Sequence, residues 1–251
     1  MSTSSERALT VLVPALNEEA ALGPTLDKLM VEIPRFWDAW EILIFNDGST
    51  DRTGAVAESY AAKDPSHIQA FHHEKPISLG GIFQKGLKLS KYPFLIMIHG
   101  QNDIRPETLK ALFSAPERDL VIPYQANTHE RPWMRRHLSR LFVFLLNRSF
   151  GLNLHYYNHY VLHRKELLQG LRLRALGYAF QAEILLKLLL WKPCTYVEIP
   201  VFDDFSSKKA TKAFRFKNIY FVFKFYLVML RDIYGTQSDS KIPSAAPSAD
   251  G

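Results

Sequence analysis

Two short polar runs carry the residue types best suited to hold a phosphorylated nucleoside. The first is Val13-Pro14-Ala15-Leu16-Asn17-Glu18-Glu19 and the second Asn46-Asp47-Gly48-Ser49-Thr50-Asp51, each placed after an apolar stretch. Asp47 can accept hydrogen bonds from a base or ribose, and Gly48 lets a ligand approach the backbone closely. Asn17, Glu18 and nearby backbone groups, expected to be exposed, can complete the pocket with Pro14 and Ala15. Taken alone, the second run is an ordinary turn and helix cap, so its chemistry depends on the two runs meeting. Other polar groupings point elsewhere. His155, His159 and His163 recur every four residues, but their surroundings alternate as a strand would and hold no carboxylate or thiolate, so structural roles are expected. His72-His73-Glu74 reads as a loop beside a strand. Gly-Gly-Ile-Phe-Gln-Lys-Gly lacks the spacing of a GxxxxGK[ST] phosphate loop, which argues against an NTPase.

The elements that must position these residues follow from the apolar pattern. Residues 8–13, ended by Pro14, and residues 40–45 read as buried parallel strands. Between them Leu22, Leu26, Leu29 and Met30 share a helical face, and a second helix is expected to start near Ser49 or Asp51. A strand near 67–71, a helix over 80–90 and a strand at 94–98 continue the alternation. This predicts an α/β fold: a Rossmann-like, mostly parallel central sheet flanked by helices. Ligands of such sheets bind beyond the carboxyl ends of the strands, which makes the two polar runs neighbours over one crevice.

Beyond residue 125 the pattern gives a basic, then apolar helix over 131–150, a strand at 159–164, a helix over 179–191 and a strand at 195–202. Residues 214–234 are aromatic and aliphatic but are interrupted by Arg215, Lys217, Lys224 and Arg231, too broken for a membrane span. Two readings of this amphipathic helix stay open, one in a membrane interface and one closing the core. The Ser/Pro/Ala-rich end reads as a disordered tail.

Composition sets the class. An apolar share of 47% and a charged share of 22% in 251 residues exclude fibres and disordered chains. The formal charge of +6 leans toward an anionic partner such as a nucleotide, a phosphorylated lipid or a membrane surface. No signature of a nucleic-acid-binding fold accompanies the charge, so no nucleic-acid partner is expected. A single cysteine, Cys194, excludes an internal disulfide and a zinc cluster and suits a reducing compartment. The first residues lack a secretory pattern, so a cytoplasmic protein, peripheral on the inner face of a membrane, is expected.

The two polar runs, VPALNEE and NDGSTDRT, resemble the opening motifs of the family 2 glycosyltransferases of the GT-A fold. Further motifs extend the resemblance over residues 8–212: Gly80-Gly81 with Lys85-Gly86-Leu87, the strand FLIMI, then MRRHLSR, NHYVLHRKEL, GYAFQAEIL and VEIPV. The second half is most similar to the polyprenyl-phosphate sugar transferases, typified by dolichol-phosphate mannose synthase. The resemblance implies a nucleotide-sugar-binding half over 1–125, an acceptor half over 126–212, an amphipathic helix over 213–235 and a tail over 236–251. It implies an inverting transferase with a UDP- or GDP-hexose donor and a polyprenyl-phosphate acceptor, Pro14, Ala15, Asn17, Glu18, Asp47, Gly80 and Lys85 lying on the donor side.

One departure touches the chemistry. Where the family carries Asp-x-Asp, this chain has His99-Gly100-Gln101, followed by Asn102-Asp103. The resemblance makes His99, Gln101 and Asp103 the ligands of a divalent cation, with Mn²⁺ tolerated better than Mg²⁺ because it accepts imidazole. Lys212, with Lys208 and Lys209, falls where the family covers the diphosphate with a basic loop. Arg135 and Ser139 match the residues that grip an acceptor phosphate, while a further family arginine is Gln125 here. Where hydroxyl-acceptor members place a base, this chain has Gln181, which favours a phosphate acceptor needing no base. The rival readings are transfer to a saccharide or lipid hydroxyl with Glu183 or Asp203 as base, and a catalytically inactive binding domain.

Overall fold

In the computed structural model, which describes residues 7–175, 177, 179–202 and 216–235, the first strand, β1 (Ala8–Ala15), is buried along its whole length. Its position explains why. With β2 (Ala39–Asp47), β3 (Ile68–His73), β4 (Phe94–Met97), β5 (Leu120–Gln125), β6 (Leu162–Arg164) and β7 (Tyr196–Val201) it forms one sheet in the order β3-β2-β1-β4-β6-β5-β7. The strands run parallel except β6, which is antiparallel to both β4 and β5. Leu9, Val11 and Val13 point to one face and Leu12 to the other, each joining a separate apolar cluster, so the alternation of β1 feeds two cores.

The first cluster face is covered by α1 (Leu22–Glu32) and α4 (Pro106–Phe113), and α2 (Thr53–Lys63) packs beside α1 and β3. The opposite face carries α3 (Ser78–Leu89), α5 (Trp133–Phe150), α6 (Lys165–Leu168), α7 (Phe180–Trp191) and α8 (Phe216–Gly235). Helix α3 lies so close to β1 that a Cβ on Gly86 would sit 2.5 Å from Leu12 Cδ1, which explains a glycine in mid-helix. Helix α7 is buried from Phe180 to Leu189, which accounts for its nearly continuous apolar sequence.

Several expectations needed correction. Pro14 does not end β1: it pairs in register with Phe45, and the strand continues to Ala15. The pattern reading missed α4 and β5. Pro123 obscures β5, yet it is tolerated because β6 pairs with β5 only at Leu120 and Val121, so beyond them β5 has a partner on one side alone. His159 and Tyr160 lie outside β6, whereas His72 and His73 belong to β3, opposite Asn46 and Asp47. In α8, Phe225, Met229 and Ile233 are buried in the core, so residues 224–235 close it.

One buried group carries a stability consequence. His163 in β6 has no solvent exposure, and Gln181 Nε2 lies 3.0 Å from His163 Nε2. Burial pushes its pKa down to about 4, below the ordinary value near 6.5. The unfolded chain therefore binds a proton that the fold refuses, and the stability present above pH 6.5 falls as pH drops toward 4. Urea unfolding is expected to lose about 3 kcal/mol across that window at this site, and His163→Gln should flatten that part of the profile.

Candidate active site

The loops after β1 and β2 interlock. Asn17 N donates to Ser49 Oγ at 3.0 Å, Glu18 N to Thr53 Oγ1 at 2.8 Å and Glu19 N to Asp51 Oδ2 at 3.2 Å. In return Thr50 N donates to Asn17 Oδ1 at 2.8 Å and Arg52 N to Glu19 Oε2 at 3.0 Å. Parallel pairing with Ala15 opposite Asn46 brings both loops to one sheet edge. Asn17 takes a left-handed backbone, φ 55°, a conformation asparagine tolerates better than other side-chain-bearing residues. Its carboxamide latches the second loop while Asn17 itself stays exposed, as expected; Glu18 is buried, so the expectation of exposure fails for Glu18 alone.

Asp47 is also turned toward the protein. Its carboxylate accepts from Ile77 N at 2.8 Å, Ser78 N at 3.2 Å and His73 Nδ1 at 3.1 Å, and Lys85 Nζ lies 2.9 Å from His73 Nε2. The network assigns the His73 proton to Nδ1, with Nε2 accepting from the ammonium. Asp47 thereby positions residues 77–78 at the start of α3, where Gly80 is buried in the first turn. Gly48 has φ +77°, and a Cβ there would lie 2.9 Å from Pro76 Cδ, so the glycine answers to Pro76. His73 was missed because only the strand register sets it opposite Asp47.

The turn after β4 joins the same edge from the other side of β1. Ile98 N donates to Leu12 O at 2.9 Å and Gly100 N to Pro14 O at 3.0 Å. Gly100 approaches Ala15, where an added Cβ would lie 3.3 Å from Ala15 Cβ. Pro14 and Ala15 are therefore buried and seat this turn. Gln101 is exposed, while Asp103 is half-buried and accepts a hydrogen bond from Tyr160 Oη at 2.9 Å. The Tyr160 ring stands edge-on to His99, centroids 5.4 Å apart, and His159 packs on Tyr160 at 5.0 Å. Burial pulls the His99 pKa down, opposed by Asp103 and reinforced by His159, so the imidazole is neutral near pH 7. Tyr160 and His159 were not foreseen, because their segment reads as strand yet loops back over the turn.

Among the described residues no group of three or more His, Cys, Asp or Glu side chains is arranged to hold a metal ion. His99, Gln101 and Asp103 offer one imidazole, one carboxamide and one carboxylate, with one carboxylate oxygen already bonded to Tyr160. Such donors fit a weakly held cation better than a tightly caged one.

Arg135 and Ser139, the expected acceptor-phosphate residues, are half-buried on the same side of α5. Arg131, which sequence reading passed over, is nearly buried, with its guanidinium carbon 5.7 Å from the Tyr156 ring centroid. Its Nη1 donates to Tyr156 Oη at 3.4 Å. Lys208, Lys209, Lys212 and Asp203 lie outside the described residues. Glu183 is fully buried, accepts from Arg174 N at 3.0 Å and Ala175 N at 2.7 Å, and is ion-paired with Lys187. Its carboxylate has no solvent exposure and is held by three partners. His155 does have a carboxylate partner, Glu198 at 2.8 Å, which β7 supplies from 43 residues away.

Residues 10–171 match the family model for glycosyl transferase family 2. The chain belongs to that family. Among curated relatives of this family 2 chain, the dodecaprenyl-phosphate galacturonate synthase of Rhizobium johnstonii is 24% identical over 59% of the chain and 45% of its own length. The polyprenol monophosphomannose synthase of Mycolicibacterium smegmatis is 26% identical over 76% of the chain and 75% of its own length. The undecaprenyl-phosphate mannosyltransferase of Micrococcus luteus is 29% identical over 76% and 84%. The chain thus spans less than half of the first relative and most of the other two. In fold, it matches Mycobacterium tuberculosis glucosyl-3-phosphoglycerate synthase with TM-score 0.62 at 18% identity, covering 95% of this chain and 82% of that one. Structures of that enzyme hold Mn²⁺ with UDP-glucose and phosphoglyceric acid, and Mg²⁺ with UDP.

Three substitutions at two positions test the architecture of this site. Asn17→Gly keeps the left-handed turn but removes the latch, and should cost about 1–2 kcal/mol in urea unfolding; Asn17→Ala should cost about 1 kcal/mol more because its Cβ disfavours that conformation. Glu183→Gln leaves Lys187 without a buried counter-charge and should destabilise by about 3 kcal/mol or more in the same measurement.

Proposed function

We propose that this chain moves a hexose from a UDP- or GDP-sugar to a polyprenyl phosphate at a membrane surface, inverting the anomeric carbon. The acceptor class rests on the sealing of Glu183. An acceptor hydroxyl must give up a proton to a nearby base, whereas a phosphate oxygen is already anionic. Glu183, buried against Lys187, is not placed to take that proton; Asp203, the other carboxylate considered for it, lies outside the described residues. The curated relatives, a dodecaprenyl-phosphate galacturonate synthase, a polyprenol monophosphomannose synthase and an undecaprenyl-phosphate mannosyltransferase, support the same reading.

In this reading the phosphate oxygen attacks the anomeric carbon, the bond from that carbon to the diphosphate breaks, and the nucleoside diphosphate leaves with the electron pair. The loop from Pro14 to Glu18, braced by the loop after β2, holds the nucleoside together with the segment that Asp47 positions. Gly80 and Lys85 border the donor at the start of α3. Arg135 and Ser139 hold the acceptor phosphate by charge-assisted hydrogen bonds, and Lys212 belongs with the diphosphate. A divalent cation, Mn²⁺ or Mg²⁺, would neutralise charge on the departing diphosphate, and the residues that would hold it are Asp103, Gln101 and His99.

A second reading, nucleotide binding without turnover, is favoured by one observation: the turn after β4 supplies a single carboxylate. A panel of UDP- and GDP-sugars, offered with a short polyprenyl phosphate and either EDTA or Mn²⁺, separates the two. Lipid-linked product is expected, and Asp103→Ala should lower its metal-dependent rate by about 100-fold or more. Nucleotide binding by calorimetry with no product from any donor would establish the second reading. An unchanged rate in Asp103→Ala would remove that residue from the mechanism.

A further inference from the structure

We infer that the outer face of α5 is the surface by which this chain rests on an anionic lipid bilayer. On this helix Trp133 is 66% exposed, Met134 52%, Leu138 36%, Leu141 53% and Phe144 62%. Single exposed apolar residues are ordinary, but these recur at three- and four-residue spacing and fall on one side of the helix. Leu146 and Phe150 point into the core, so α5 is apolar on two sides and only one is covered.

Charge selects the partner. The eighteen residues of α5 include four arginines and no acid, and Arg140 and Arg148 are exposed beside the stripe. A second copy docking through this face would set like charges against each other, whereas anionic headgroups attract them. Trp, Phe and Leu with flanking arginines is the composition of a helix lying in a membrane interface. No helix among the described residues is long and apolar enough to cross a membrane, so attachment here is peripheral. For residues 213–235 the sequence left a membrane-interface and a core-closing reading open, and the buried side chains of Phe225, Met229 and Ile233 favour the second for residues 224–235.

The inference rests on the lipid-phosphate reading and deepens it. Arg135 and Ser139 occupy the half-buried side of the same helix. A bilayer under α5 would therefore present lipid phosphates at the level of the helix that holds the acceptor residues.

The test uses the full chain, a Trp133→Ser/Leu141→Ser/Phe144→Ser variant and an Arg140→Glu/Arg148→Glu variant, each checked for folding by circular dichroism. Co-sedimentation is measured with vesicles of phosphatidylcholine alone and of phosphatidylcholine mixed with phosphatidylglycerol. The unmodified chain should bind the mixed vesicles preferentially and be released by salt. Both variants should bind about tenfold less or weaker, while nucleotide affinity and transfer to a detergent-dispersed short polyprenyl phosphate stay unchanged. Failure of the unmodified chain to bind mixed vesicles overturns the inference, as does undiminished binding by both variants. So does a dimer in sedimentation velocity that the apolar variant dissolves while neither protein binds vesicles. Vesicle binding lost in the variants, with no transfer to any polyprenyl phosphate, supports the membrane face and sinks the acceptor reading instead.

Discussion

The hydrogen bonds between the loops after β1 and β2 are the constraint on which the site depends. Parallel pairing carries both loops to one edge, but parallel strands alone leave the loop conformations open. Successive amides of Asn17, Glu18 and Glu19 donate into side chains of the second loop, and amides of Thr50 and Arg52 donate back. Each loop satisfies backbone groups that the other would leave exposed to solvent or unpaired. The turn after β4 then docks on the opposite side of β1 through Pro14 O. Pro14 has no N–H for the ladder, but it lies beyond the last β1–β4 pair, Leu12 with Met97, where only its carbonyl is called on.

Buried polar side chains extend this logic to the rest of the molecule. Asp47, His73 and Lys85 form one chain of contacts that anchors the start of α3. Tyr160 links the segment before β6 to the turn after β4 by holding Asp103 and packing on His99. Glu183 and Lys187 stabilise the bend at 172–175 around α7. Charged groups are costly inside a protein unless partnered, and each of these acts first on the fold. What the three loops leave exposed is then a short set of groups, Gln101 among them, on a backbone held in place by its buried neighbours.

The second half of the chain has a different character. Helix α5 divides its circumference between a core side, a half-buried side with Arg135 and Ser139, and an exposed apolar and basic side. Helix α8 resembles it in composition but packs Phe225, Met229 and Ile233 into the core. Two stretches with similar amphipathic patterns thus take different surroundings, and only packing separates them.

The chain's own pattern was enough for the α/β class, most strands and helices, and the meeting of the first two polar loops, because alternation and helical spacing record burial directly. The motifs VPALNEE and NDGSTD and the altered His99-Gly100-Gln101 turn were likewise legible, being contiguous. Strand β5 was hidden by Pro123, whose tolerance depends on the short reach of β6. The partners His73–Asp47, Tyr160–Asp103 and His155–Glu198 were invisible for a related reason: they join residues 26, 57 and 43 positions apart, and no local periodicity encodes such a pairing. The same holds for the burial of Glu183 and for the exposed face of α5. Composition says which side chains can be charged or apolar; their neighbours in three dimensions decide which charge is neutralised and which apolar face is left uncovered.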